Sequence, residues 1–258
     1  MTIGEILLLL AAGVGAGIVG STAGLASLVS YPALLLVGLP PVVANVTNTV
    51  GLIGSSIGSV AGSRPELTGQ GRTLLRWAPI GVVGGILGAI LLLVGSPATF
   101  GAIVPFLVAM ASVLLLLSPN LRRFTLARRE RAVGAGAVLR PDGGPLVPFL
   151  LFLGCVYGGY FGAAAGVMIL ALLLAGTDRT LPVANAIKNF VLGCANAVAA
   201  VTFSLTADVD WSAVPPLLVG CVVGGRIGPA VVRRIPATGM RWFIGIAGLA
   251  LAVKLWIG

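Results

Sequence analysis

The chain has 258 residues, a mean hydropathy of +1.10 and 9% charged residues, whereas a soluble domain carries about 25%. So low a charge excludes a water-facing surface around the whole molecule, and the net charge of +9 is no nucleic-acid signal, because the basic residues sit in short loops between apolar runs. The absence of histidine removes histidine proton relays and Ser-His catalysis, and no Gly-x-x-x-x-Gly-Lys-Ser/Thr loop is present to bind and hydrolyse ATP, so neither an enzyme nor a cofactor or metal site is expected.

In chain order, the apolar runs predict ten helical segments, at roughly 3–20, 24–39, 42–62, 74–95, 99–118, 146–163, 166–177, 182–206, 211–232 and 239–257. A run of about 20 apolar residues is the length that crosses a bilayer as a helix. The first segment lacks a basic n-region and carries Glu5, so it reads as a retained membrane segment. The second and seventh are short, and each follows a glycine cluster. Gly20-Ser21-Thr22-Ala23-Gly24 and Gly162-Ala163-Ala164-Ala165-Gly166 have two readings. One is close helix packing; the other is a broken helix whose exposed N–H groups face an anion. Pro32 and Pro40-Pro41 delimit the short second segment, and the first two segments of each half are expected to form a hairpin that only partly enters the bilayer.

The third segment carries a polar stripe of Asn45, Asn48, Thr49, Ser56 and Ser59, with Thr47 and Ser55 at its margin. Spacings of three, four and seven put these on one helix face. The eighth segment repeats the stripe 140 residues later as Asn185, Lys188, Asn189, Asn196 and Ala199. Amides and hydroxyls in hydrocarbon need partners, so this face either joins helices together or lines a solute site. Lys188 lies inside a membrane helix, where an ammonium is costly; it holds an anion or snorkels to the surface. Arg226 is the second intramembrane cation, with the same alternative. Cys155, Cys194 and Cys221 lie in apolar segments and imply neither a disulfide nor a metal site.

Charge sets the topology. The stretch 119–145 holds Arg122, Arg123, Arg128, Arg129, Arg131 and Arg140 against Glu130 and Asp142, so it is cytoplasmic. Counting outward, Arg64, Arg72, Arg233, Arg234 and Arg241 also fall inside, while Asp208, Asp210 and both termini fall outside. Trp77, Trp211, Trp242 and Trp256 lie near segment ends, as an interfacial belt requires. The halves also match: Gly17-x-x-Gly20-x-x-x-Gly24 recurs at Gly159, Val83-Gly84-Gly85-x-x-Gly88 at Val223, and Ala44-Asn45 at Ala184. The expected fold is an all-α polytopic membrane protein with two inverted-topology repeats of about five segments each, 1–118 and 146–258, joined by the basic linker 119–145. Inverted repeats place a transporter's site at their interface.

The run from Gly17 to Pro32, Gly38-Leu39-Pro40-Pro41 leading to Ala44-Asn45-Val46-Thr47-Asn48, then Asp208-Val209-Asp210-Trp211, Gly224-Gly225-x-x-Gly228 and Arg233-Arg234-Ile235-Pro236 resemble, in order and spacing, the TauE/SafE family of sulfite and organosulfur-anion exporters. The family's glycine run is interrupted here by Ser21-Thr22-Ala23, and Arg226 stands where an apolar residue is usual. The resemblance implies transport of sulfite, a sulfonate or a similar small anion. The residues expected to line the site are Asn45, Thr47, Asn48, Thr49, Ser56, Asn185, Lys188, Asn189 and Asn196. Gly20, Ser21, Thr22, Gly24, Gly162, Gly166 and Arg226 are expected to support it through backbone or neighbouring contacts. The expected partners are a small anionic solute and membrane lipid, with a homodimer open and the cytoplasmic membrane as the location. An anion channel and a non-transporting structural subunit are the alternatives.

Overall fold

The structure, a computed structural model, describes residues 1–134, 143–234 and 237–257, and every regular element among them is helical. In order these are α1 (Ile3–Ala23), α2 (Ser27–Leu36), α3 (Pro41–Gly51), α4 (Ile53–Gly62), the single turn α5 (Arg64–Leu67), α6 (Gly71–Val94), α7 (Pro97–Gly134), α8 (Leu146–Tyr160), α9 (Ala165–Gly176), α10 (Leu181–Thr206), α11 (Val214–Arg234) and α12 (Ala237–Ile257). Four stretches are long and apolar enough to cross a membrane: Ile3–Ala23, Gly71–Val94, Pro97–Leu121 and Leu181–Thr206. With the shorter apolar helices between them, they make this a multi-pass membrane protein.

Local chemistry explains several boundaries. Thr2 and Glu5 close a reciprocal capping box at the start of α1. Pro41 opens α3 at a position where its missing N–H costs nothing. Asp210 turns the chain into α11: its Oδ1 accepts from the Ser212 hydroxyl at 2.6 Å, the Ser212 N–H at 2.9 Å and the Ala213 N–H at 3.2 Å.

Several expectations are corrected. The third segment is interrupted at Leu52, giving α3 and α4. The fifth does not stop at 118 but continues as helix to Gly134, so much of the basic stretch 119–145 is helical; its Arg140 and Asp142, like Ile235 and Pro236, lie outside the described residues. Pro32 sits within α2 instead of ending it. Trp77 is fully buried among Leu151, Ile169 and Leu173 and is no interface residue, whereas Trp211, Trp242 and Trp256 are more than half exposed.

Packing depends on glycine-smooth helix faces. α1 lies along α11, where a Cβ on Gly17 would meet the Gly225 nitrogen at 2.4 Å, and Gly225 in turn abuts Ser55 O of α4. α8 lies along α6, where a Cβ on Gly159 would meet Gly85 O at 2.4 Å, and Gly85 abuts Ala195 O of α10. At the centre the α1–α2 and α8–α9 junctions cross. A Cβ on either Gly24 or Gly166 would lie 2.4 Å from the other's Cα.

One end of the bundle is tied by arginines. Arg129 of α7 donates to the Asp178 and Arg179 carbonyls, each at 2.7 Å. Arg179 then reaches Gln70 Oε1 and Thr73 Oγ1 at the start of α6. At the other end Pro40, Pro41, Pro97, Ala207 and Asp208 surround a second, wider cavity.

Gly166→Ala is expected to lower stability by at least about 1–3 kcal/mol through backbone overpacking. Gly101→Ala, whose Cβ would meet nothing within 4 Å, serves as the harmless control; thermal unfolding in detergent compares the two. The Ser212 hydroxyl, foremost, and the Ala213 and Ser212 amides hold the Asp210 carboxyl below its ordinary pKa. Its stabilising contribution is therefore present above the unfolded value of about 3.9 and is lost as pH falls through the lower folded value. Asp210→Asn should flatten the acid limb of a stability–pH curve.

Candidate functional site

The two helix breaks define the site. α1 runs through Gly20-Ser21-Thr22-Ala23 and ends at Gly24, whose φ of 76° is left-handed and whose N–H donates to Gly20 O and Val19 O. The segment expected to offer N–H groups thus offers carbonyls; the N–H end is the start of α2, where Ala26 makes no side-chain cap. α8 ends at Tyr160, and the chain passes through Gly162 (φ 76°) and Ala164 (φ 75°) before α9 begins. The Tyr157 hydroxyl pins this turn by donating to Ala163 O at 2.5 Å.

Broken helices leave carbonyls unpaired, and within hydrocarbon these need protein donors. The polar stripes supply them. Asn185 and Asn189 both donate from Nδ2 to Ser21 O, at 2.9 and 3.1 Å. Asn45 donates from Nδ2 to Tyr160 O at 2.9 Å. Lys188 is 0% exposed, so it does not snorkel. Its Nζ donates to Asn185 Oδ1 at 2.8 Å and lies 3.5 Å from Gly20 O. Asn48 Nδ2 donates to Ser27 Oγ at 3.2 Å. Two buried acceptors, Asn45 Oδ1 and Asn48 Oδ1, have no hydrogen-bond partner among the described residues.

Between the breaks lies a cavity of about 60 Å³ lined by Gly20, Gly24, Ala26, Ser27, Thr49, Leu52, Ser55, Ser56, Ser59, Gly158, Phe161, Gly162, Asn189, Leu192 and Asn196. Of the residues expected from sequence, Thr49, Ser56, Asn189, Asn196, Gly20, Gly24 and Gly162 line it. Asn45, Asn48, Asn185 and Lys188 stand one layer behind, bonded to the helix ends or to Ser27. Thr47 is elsewhere: its hydroxyl accepts from the Asp210 N–H at 3.0 Å and fastens that loop. The Ser21 and Thr22 hydroxyls bond back to Ile18 O, Gly166 packs on Gly24, and Arg226 is exposed, away from the cavity lining. Sequence reasoning missed Ser27 and Phe161. Ser27 opens α2 just after the break, a detectable position; Phe161 gave no signal. Phe161 joins the cavity to an aromatic cluster, with Tyr31 at 5.4 Å and Phe100 at 6.0 Å between ring centres.

The lining carries no acid and no base. It offers hydroxyls, two amides and the start of α2, with a lysine behind Gly20, which suits a small oxyanion. Such a lining on a multi-pass scaffold makes this cavity the candidate solute site. The profile of the family described as "Sulfite exporter TauE/SafE" matches residues 9–255. The chain belongs to the TauE/SafE family. It is thereby a membrane transporter and not an enzyme. The probable membrane transporter protein YfcA of Escherichia coli K12 is 28% identical over 244 residues, covering 93% of this chain and 85% of that one. A probable membrane transporter protein of Haemophilus influenzae is 26% identical over 254 residues, covering 96% and 93%. A probable membrane transporter protein, ORF9, of a Sinorhizobium species is 25% identical over 241 residues, covering 93% and 88%. No solved structure matches the chain.

Asn185→Leu strips a donor from Ser21 O and the acceptor from Lys188. Ser21 O keeps Asn189 as a donor, so the main cost is a buried Lys188 Nζ left with only its long contact to Gly20 O, about 1–3 kcal/mol, at about 2–4 °C per kcal/mol for chains of this size. The melting temperature should fall by several degrees, and a shift under 1 °C would contradict these roles.

Proposed function

We propose that this TauE/SafE protein is a secondary transporter that carries a small sulfur oxyanion, sulfite or a short sulfonate, across the cytoplasmic membrane by alternating access. The observation that carries the reading is the pairing of cavity residues. Thr49 matches Asn189, Leu52 matches Leu192 and Ser56 matches Asn196, each 140 residues apart; Gly20 and Gly162 occupy equivalent places in the glycine motif. A cavity assembled from matched positions is what two inverted repeats, 1–118 and 146–258, produce at their interface. The seams support the same pairing: Gly17 on Gly225 on Ser55 answers Gly159 on Gly85 on Ala195, and Gly24 touches its own counterpart Gly166. The loop clusters support the charge-derived topology. Pro40, Pro97 and Asp208 gather at the end assigned to the outside, and Gln70, Thr73, Arg129 and Arg179 at the end assigned to the cytoplasm.

The cargo follows from the lining. About 60 Å³ is roughly four times the ~15 Å³ that one water requires, which fits an ion the size of sulfite. Asn196 makes no hydrogen bond to the described residues and Ser56 only a long one, 3.5 Å, to Leu52 O, so both have donors to spare for oxyanion oxygens. Lys188, one layer back, supplies positive potential while its contact with Asn185 keeps it from binding the anion outright.

The test is flux of sulfur-35 sulfite into proteoliposomes. Saturable uptake is expected, and Asn196→Leu should cut it about tenfold or more at low substrate, the loss of one charge-assisted hydrogen bond, with an unchanged melting temperature. Uptake that rises linearly without saturation would replace the transporter by a channel, and no uptake of any small sulfur oxyanion would remove the proposed cargo.

A further inference from the structure

The two unpartnered oxygens Asn45 Oδ1 and Asn48 Oδ1 lie one turn apart on α3, which puts them on the same helix face. Both side chains are almost wholly buried, at 0% and 1% exposure. The orientation of the Asn45 amide is not a free choice. Its Nδ2 bonds the Tyr160 carbonyl, which only accepts, so the Oδ1 must point away from that partner. Buried carbonyl oxygens without donors are costly, and native structures supply them with a partner.

The other half shows what kind of partner. Asn185 stands at the position equivalent to Asn45, and Lys188 at the position equivalent to Asn48. There the Asn185 Oδ1 is satisfied by an ammonium, the Lys188 Nζ at 2.8 Å, which also approaches the broken-helix carbonyl of Gly20. In the first half the same amide oxygen is present, the lysine is replaced by asparagine, and the replacement contributes a second carbonyl oxygen. The chain thus presents acceptors for a cation where its counterpart carries one covalently. Ser27 lines the anion cavity, and its Oγ contacts the Asn48 amide at Nδ2.

We propose that Asn45 Oδ1 and Asn48 Oδ1, beside Ser27 at the α1–α2 break, form part of a sodium site, the ion occupying in the first half the place that the Lys188 ammonium occupies in the second. Neutral oxygens are sufficient ligands for a monovalent ion, as the backbone carbonyls that coordinate sodium in other transporters show. Binding next to the anion cavity couples the two ions: each lowers the cost of holding the other in a low-dielectric interior. The inference rests on the pairing of halves proposed above, and it adds the ion that drives the anion.

The experiment measures the melting temperature of the purified full chain in sodium chloride against choline chloride at matched ionic strength, with no sulfite present. Sodium should raise it saturably, by about 3–6 °C at ten times the dissociation constant, and potassium should do less. Asn48→Leu should abolish the rise. Asn48→Lys, which tethers an ammonium as the second half does, should abolish the rise while melting in choline at or above the unmodified protein. Equal melting in sodium and choline for the unmodified chain, or a sodium shift that survives both substitutions, overturns the site. Sulfite flux is then compared in the two salts. Saturable flux that is indifferent to sodium sinks the cation site and leaves the anion reading intact. Absent flux alongside a sodium shift does the reverse.

Discussion

Gly24 and Gly166 touch backbone to backbone, and the centre of the molecule follows from that contact. Two backbone segments approaching so closely leave no room for side chains, and neither helix continues through the crossing. Each must therefore end in hydrocarbon, where water cannot satisfy the freed carbonyls and amides. The stripes on α3 and α10 answer that need before any substrate enters. Asn45 serves the end of α8, and Asn185 with Asn189 serves the end of α1. Each half thus caps the break of the other, so the two halves cannot separate without exposing unsatisfied backbone.

Burial divides the polar residues into two roles. A group whose hydrogen bonds are already committed to a helix end is a poor ligand, since binding would have to displace a good internal bond. Asn185 and Lys188 are committed in this way. Ser56 and Asn196, further along the same helices, are not, and they face the cavity. Transport requires that the solute leave as readily as it enters. Hydroxyls and amides in front, with the one cation screened behind a backbone carbonyl, meet that requirement better than a direct ammonium–oxyanion pair.

The sequence made the membrane class, the ten segments and the two polar stripes legible, because hydropathy and helical spacing act locally. It named Asn45 and Asn185 because buried amides need partners, and in the fold their Nδ2 atoms find carbonyls at the two helix breaks. Their acceptors, Tyr160 and Ser21, are more than 100 residues away, and nothing local encodes which carbonyl an amide will find. Trp77 misled because proximity to a segment end is a poor guide where residues of α8 and α9 pack over the indole. Gly20 to Ala23 misled more instructively: glycine density marked the break correctly, but the last helical turn extends to Ala23, which exchanges expected N–H groups for carbonyls. The continuation of α7 to Gly134 went unread because arginines signal topology and are also good helix formers.

The two breaks are built from unlike parts, and this asymmetry bears on mechanism. The first is stiffened from within, by Ser21 and Thr22 hydroxyls bonded to Ile18 O, and from without by three donors of α10. The second has alanines at the matching positions and holds Ala164 at φ 75°, a conformation that costs a non-glycine residue about 1–2 kcal/mol; it relies on one hydroxyl, from Tyr157, and one amide, from Asn45. Alternating access needs two states of comparable free energy, and ligands shift the balance only through differential contacts. The α8–α9 turn is therefore the break that holds fewer bonds and a strained residue. Phe161, within that turn, lines the cavity and abuts Tyr31 and Phe100. The strained Ala164, a wall of the cavity and part of the aromatic cluster thus belong to one short segment, the segment on which the proposed alternating access would act first.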